Sequence, residues 1–172
     1  MKVSFFIGDH KNDSLLVQLG SELTRMTQKG KYSDVTHAEA ILKEHSDGTV
    51  DIGSATLRKE TKAGKAGVRI KERVRLKRGH WMIVDVPKFD AKKSLAWHIE
   101  HEGDGYDYRG AVASILPIWW STKNRWFCHQ AIAESVGLEN GEALTGSLFA
   151  AMCLFFGKDV TTEFFNAREM TE

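Results

Sequence analysis

Four short β-forming runs follow one another between Asp34 and Val86, and most of the helical periodicity in the chain comes after them. That order constrains the fold more than any other feature, because strands separated by brief turns pair with their neighbours before a helix can intervene. The runs are Asp34–Lys43, Val50–Leu57, Gly67–Leu76 and Trp81–Val86, the last stopped by Pro87. Side chains alternate along a strand, so Val35, His37, Glu39 and Ile41 share one face. Ser46-Asp47-Gly48 is the turn that makes a hairpin of the first two runs. Val3–Ile7, closed by Gly8-Asp9, reads as a further strand at the start of the chain.

Helical spacing appears in Leu15, Leu16, Leu19, Leu23 and Met26, behind a cap at Asp13 or Ser14. It returns in Asp90–Glu102, in Asp107–Leu116 before Pro117, in Phe127–Val136 before Gly137, and in Thr145–Phe156 before Gly157. The expectation is an α+β domain spanning residues 1–172: a mostly antiparallel sheet or small barrel with helices packed on one side. A chain of 172 residues buries about two-thirds of its unfolded surface, enough for a core without external staples.

Net charge is +1, so nothing global points to nucleic acid or an anionic membrane. The stretch Arg58–Arg78 is locally basic, with only Glu60 and Glu72 opposing ten cations. It reads as a solvated strand face and loop. Docking of an acidic or phosphorylated partner is the alternative, and the stretch lacks the interleaved aromatics of a nucleic-acid binder. Val3–Ile7 is too short for a signal-peptide core, and Ala111–Trp120, broken by Ser114 and Pro117, is too short for a membrane span. A cytoplasmic protein with free thiols at Cys128 and Cys153 is expected.

Cys128 falls in the first turn of the Phe127–Val136 helix, after the polar loop Ser121–Arg125. Unpaired amides and the helix dipole favour a thiolate there. A small buried hydrophobe is the competing reading, and it is the expected one for Cys153 among Ala150, Ala151, Met152 and Leu154. Among seven histidines, His10, His45, His98 and His101 sit in polar surroundings and read as surface residues. His129, one step round the helix from Cys128, is not expected to bridge to it. His37, in the middle of a strand with Glu39 two residues on, is the candidate base, against a purely structural histidine. A zinc site of His37, Glu39 and Cys128 lacks any supporting ligand spacing, so no metal and no cofactor are expected.

These pieces, in this order, resemble the circularly permuted papain-like cysteine hydrolases of the NlpC peptidase superfamily, the YiiX-like group that includes phage-encoded members. The resemblance runs over residues 3–137. It rests on Tyr32-Ser33-Asp34-Val35-Thr36-His37-Ala38-Glu39, Gly53-Ser54-Ala55, Gly67-Val68-Arg69 and Trp81–Pro87. It continues in Tyr106-Asp107-Tyr108-Arg109-Gly110 and Asn124-Arg125-Trp126-Phe127-Cys128. It implies a permuted papain-like fold and a thiol-dependent hydrolase acting on a peptide amide, an isopeptide or an acyl-lipid ester. Cys128 would be the nucleophile and His37 the base. Glu39, Ser54 or Asp51 would orient the imidazole, and the Cys128 amide with Tyr106 would receive the oxyanion. Trp126, Tyr108 and Gln130 are the expected substrate contacts, with Trp119 and Trp120 as further wall residues, although core packing explains such aromatics equally well. Where the family has Ser-Glu after the cysteine, this chain has His129-Gln130. That departure favours the alternative, a binding or phage virion-associated module that keeps the fold without turnover.

Overall fold

The computed structural model describes residues 1–8, 18, 32–113 and 122–169. The expected helix over Leu15–Met26, the end of the helix before Pro117, His10, Trp119 and Trp120 lie outside the described residues. Eight strands form one curled sheet: β1 Lys2–Phe6, β2 His37–Glu44, β3 Val50–Thr56, β4 Gly67–Val74, β5 Trp81–Asp85, β6 Gly105–Tyr106, β7 Arg125–Trp126 and β8 Lys158–Asp159. Their order across the sheet is β7-β6-β4-β3-β2-β1-β5-β8, and every pair is antiparallel except β6 with β7. The described helices are α1 Ala91–Glu100, α2 Tyr108–Ala113, α3 Cys128–Ser135, α4 Gly146–Phe156 and α5 Thr161–Glu169, with a 3-10 turn at Gly141–Ala143. The α+β class and the mostly antiparallel sheet are as the sequence predicts.

Alternation along β2 splits the core in two. Ala38, Ala40 and Leu42 pack with Val3, Phe5, Val84, Ile132, Ala133, Phe149 and Cys153, which draws α3 and α4 onto one face of the sheet. Ile41, on the other face, packs with Ile52, Ile83, Phe164 and Phe165. The final helix α5 therefore covers the face opposite α3 and α4, so the helices are not all on one side. Nothing in the spacing of residues 161–169 marks the face that α5 covers. Phe164 and Phe165 do so by burial, each such side chain contributing about 1.5–3 kcal/mol. Asp159 secures the start of α5 by accepting from the amide and hydroxyl of Thr161 at 2.9 and 2.6 Å.

Helix α1 begins at Asp90, whose carboxylate accepts from the amides of Lys92 and Lys93, and it lies against β2, β3 and β4. It comes close at Gly53, where a Cβ would stand 2.6 Å from the His98 ring. His98 is not a surface residue, as its polar surroundings predict, but fully buried. Its Nδ1 sits 2.8 Å from the Ser94 carbonyl, and burial pushes the imidazole down to about 4. On α1, Ser94 and His98 are buried whereas Lys92, Lys93, Ile99 and Glu100 are exposed, so burial follows the helix face and not the character of the neighbouring residues.

Candidate active site

Cys128 is the first residue of α3. Phe127 N-caps this helix in extended conformation, φ −110° and ψ 166°, without a side-chain hydrogen bond. The helix thus presents its positive end to the thiol without a capping oxygen to neutralise it. Strand β7 sets the position of that helix. It runs parallel to β6, with Tyr106 opposite Trp126, and the Asp107 amide donates to the Trp126 carbonyl at 3.0 Å. Asp107, 1% exposed, then accepts from the amides of Gly110 and Thr122 at 2.9 and 3.1 Å. The Tyr106–Gly110 segment is therefore a clamp that fixes the strand end next to which Cys128 emerges.

His37 opens β2, paired with Phe6 of β1. Its Nε2 lies 3.3 Å from Glu39 Oε1 and 3.3 Å from Ser54 Oγ, and the ring is close enough to Cys128 to feel its charge. Glu39 does bend back along its own strand to reach the ring. Asp51 does not take part, since its carboxylate is 2.8 Å from His45 Nε2. Burial would push the His37 imidazole down. The proximity and negative charges of Cys128 and Glu39 outweigh this and raise it to about 9. Burial likewise pushes the Cys128 thiol up, but His129 and His37 beside it hold it well below the usual thiol range. The two shifts together describe an imidazolium–thiolate pair at neutral pH. Cys153 has no such partners, and burial pushes it up to about 12. Both cysteines are free and buried.

Two polar groups join the site against expectation. Arg69, counted with the solvated basic stretch, is 2% exposed and donates from Nη2 to Glu39 Oε1 at 2.9 Å. Its Nε stands 3.0 Å from Glu60. The cause is strand parity. Val68 and Ile70 belong to the helix-covered face, so Arg69 projects to the other face, opposite Ser54 and next to Glu39. The rest of the basic stretch is largely paired within the chain: Lys62 with Glu102, Lys71 with Glu60, Arg73 with Asp47 and Arg78 with Asn166. The second difference is His129, whose Nδ1 lies 3.7 Å from Cys128 Sγ. Adjacent residues diverge in mid-helix. At this helix start the buried Phe127 ring packs edge-on against the His129 ring, with centroids 4.6 Å apart. The departure from Ser-Glu therefore does not empty the site of polar groups.

Tyr106 is buried beside the thiol. Burial and the Cys128 charge push its hydroxyl well above the usual range, which keeps it a neutral donor. Tyr108, 48% exposed, leans on Tyr106 with ring centroids 5.3 Å apart and forms an open lip. Trp126 is turned towards α1: its Nε1 donates to Asp104 at 3.0 Å and its ring meets Trp97 and His101 edge-on. Gln130 is 2% exposed, with Oε1 unpartnered among the described residues, so it offers no open contact to substrate. Among the described residues no three His, Cys, Asp or Glu groups are placed to hold a metal ion, and no helix is long and apolar enough to cross a membrane. Models of known protein families, curated proteins and solved structures give no match to the chain.

Proposed function

We propose that the chain is a thiol-dependent acyl hydrolase, with Cys128 as nucleophile, His37 as general base and acid, and Glu39 assisted by Ser54 as the group that orients the imidazole. One observation carries this reading: a thiol at the start of a helix interacts electrostatically with an imidazole whose Nε2 is already held by a buried carboxylate and a hydroxyl. A structural cysteine has no use for such a chain of partners, and Cys153 lacks one.

The Cys128 lone pair attacks the carbonyl carbon, forming a C–S bond while the carbonyl π pair moves to oxygen. The Cys128 amide, with the neutral Tyr106 hydroxyl as second donor, receives that oxyanion. As the oxyanion collapses, the bond to the leaving group breaks and His37 supplies its proton. Water then attacks the thioester, His37 takes one of its protons, and sulfur departs as thiolate. Burial would raise the Glu39 carboxyl, but the His37 imidazolium and the Arg69 guanidinium hold it below its usual range, and Arg69 remains as its counter-ion when His37 gives up the proton. Peptide amides, isopeptides and acyl-lipid esters all fit this chemistry, and Tyr108 is the exposed aromatic placed to touch them.

The test is intact-mass analysis after brief exposure to p-nitrophenyl acetate, fluorogenic peptide amides and short-chain acyl esters. The expected result is an acyl adduct on Cys128 with at least one of them, absent from Cys128→Ala. Unmodified Cys128 with all three classes would remove the hydrolase reading.

A further inference from the structure

Cys128 has two imidazole neighbours. His129 Nδ1 is within hydrogen-bond reach of sulfur, and the ring is 8% exposed and braced by Phe127. Its other nitrogen, Nε2, is buried and unpartnered among the described residues. That asymmetry limits the protonation states available to the ring. A proton on Nε2 would be a buried N–H without an acceptor, which folded proteins rarely tolerate. The state left is the neutral ring with its proton on Nδ1, directed at sulfur.

Resting on the thiol-hydrolase reading, we infer that His129 is a second catalytic residue, a neutral imidazole that donates its Nδ1–H to Cys128 Sγ and holds the thiolate independently of His37. The labour is thereby divided. His37, tied to Glu39 and Ser54, exchanges protons with leaving group and water. His129 keeps its proton on Nδ1 throughout. Its hydrogen bond weakens as the sulfur lone pair becomes the C–S bond and strengthens again when thiolate is released. The other charged or titratable groups around the thiol are His37 and Glu39 from β2, Arg69 from β4, and Tyr106 with Asp107 from the β6 end. Glu39 is offset by Arg69 and Tyr106 stays neutral, which leaves the two imidazoles as the groups that set the ionisation of Cys128.

The experiment is the pH dependence of iodoacetamide alkylation at each cysteine, read by mass spectrometry on the whole chain. The proteins are wild type, His37→Ala, His129→Ala and His129→Asn. Cys153 reports folding, because it reacts only if the core opens. In His37→Ala the midpoint at Cys128 is expected to stay below the free-thiol value of about 8.5. In His129→Ala the midpoint should rise by about one pH unit, the size of a hydrogen bond to a charged group. His129→Asn, whose side-chain amide can donate from near the Nδ1 position, should restore much of the loss, and it decides the matter if the alanine variant unfolds. A free-thiol midpoint in His37→Ala, or a wild-type midpoint in His129→Ala, overturns the inference. Cys128 as inert as Cys153 in the wild type would instead overturn the hydrolase reading itself.

Discussion

Glu39 holds a carboxylate at 3% exposure, and Arg69 holds a guanidinium buried to the same degree beside it. Each is tolerable only because of the other, since removing one partner of a buried ion pair strands the remaining charge at about 3–5 kcal/mol. Arg69→Met is therefore expected to lower Tm by about 10 °C and to weaken the hold on His37, measurable by calorimetry and by the pH profile of hydrolysis. Glu39→Leu combined with Arg69→Met removes both charges and should recover much of that stability without recovering activity. If the double variant is as unstable as the single one, the two residues do not act as a pair. Glu39→Gln keeps the shape but not the charge that raises the imidazole. It is expected to lower kcat about a hundredfold and to shift the alkaline limb of the profile downwards.

The elements bring these residues together through backbone contacts remote from the sulfur. Asp107 joins the start of α2 to Thr122, just ahead of β7, and so fixes the β6–β7 pair from which Tyr106 and Cys128 project. Asp107→Ala removes a helix-start acceptor that also takes a second amide, and about 2 kcal/mol of stability should be lost in urea unfolding. Acylation of Cys128 should slow as well, since the thiol loses its register with the oxyanion donors. Wild-type acylation in that variant would show that the clamp serves stability alone. On the same side of the sheet, Gly53 allows His98 of α1 to lie against β3. Gly53→Ala is expected to cost about 1–3 kcal/mol through displacement of α1, readable as a lowered Tm.

For the molecule as a whole, the same groups determine how stability varies with pH. His98 is neutral in the fold down to about 4 but takes up a proton near 6.5 when unfolded. Between those values the unfolded chain binds more protons, so stability is fully present above pH 6.5 and is lost as pH falls towards 4. The loss amounts to roughly 3 kcal/mol. Cys128 and His37 behave differently. From about pH 6.5 to 8.5 the folded pair holds one proton as imidazolium and thiolate, and the unfolded pair holds one as neutral imidazole and thiol. Their opposite shifts cancel, and this pair contributes no slope in that window. Urea unfolding across pH 4–9 should therefore show an acid-side decline that His98→Gln reduces. A decline unchanged in that variant would assign it to other groups, the depressed Glu39 among them.

The α+β class, most strand and helix positions, Cys128 at a helix start and His37 beside Glu39 were all legible in the chain. Each follows from local rules: alternation of side chains, helical spacing, caps and stops. The two-residue strands β6, β7 and β8 were not legible, because strands that short exist only through the partner they pair with. Nor was α5, whose two phenylalanines acquire a face only when Ile41, Ile52 and Ile83 supply one. His98 looked like a surface residue in a stretch with Lys92, Lys93, Glu100 and His101, and its burial depended on a glycine 45 positions earlier in the chain. At the site, the local sequence placed Cys128 at a helix start and His37 with Glu39 on one strand face, and the roles proposed for them came from the resemblance. The tertiary structure decided that Arg69 is the counter-ion of Glu39, that Asp51 belongs to His45, and that a brace from Phe127 turns His129 onto the thiol. Register between strands and packing of side chains depend on residues far apart in the chain, whereas periodicity and capping are settled within a few residues of one another.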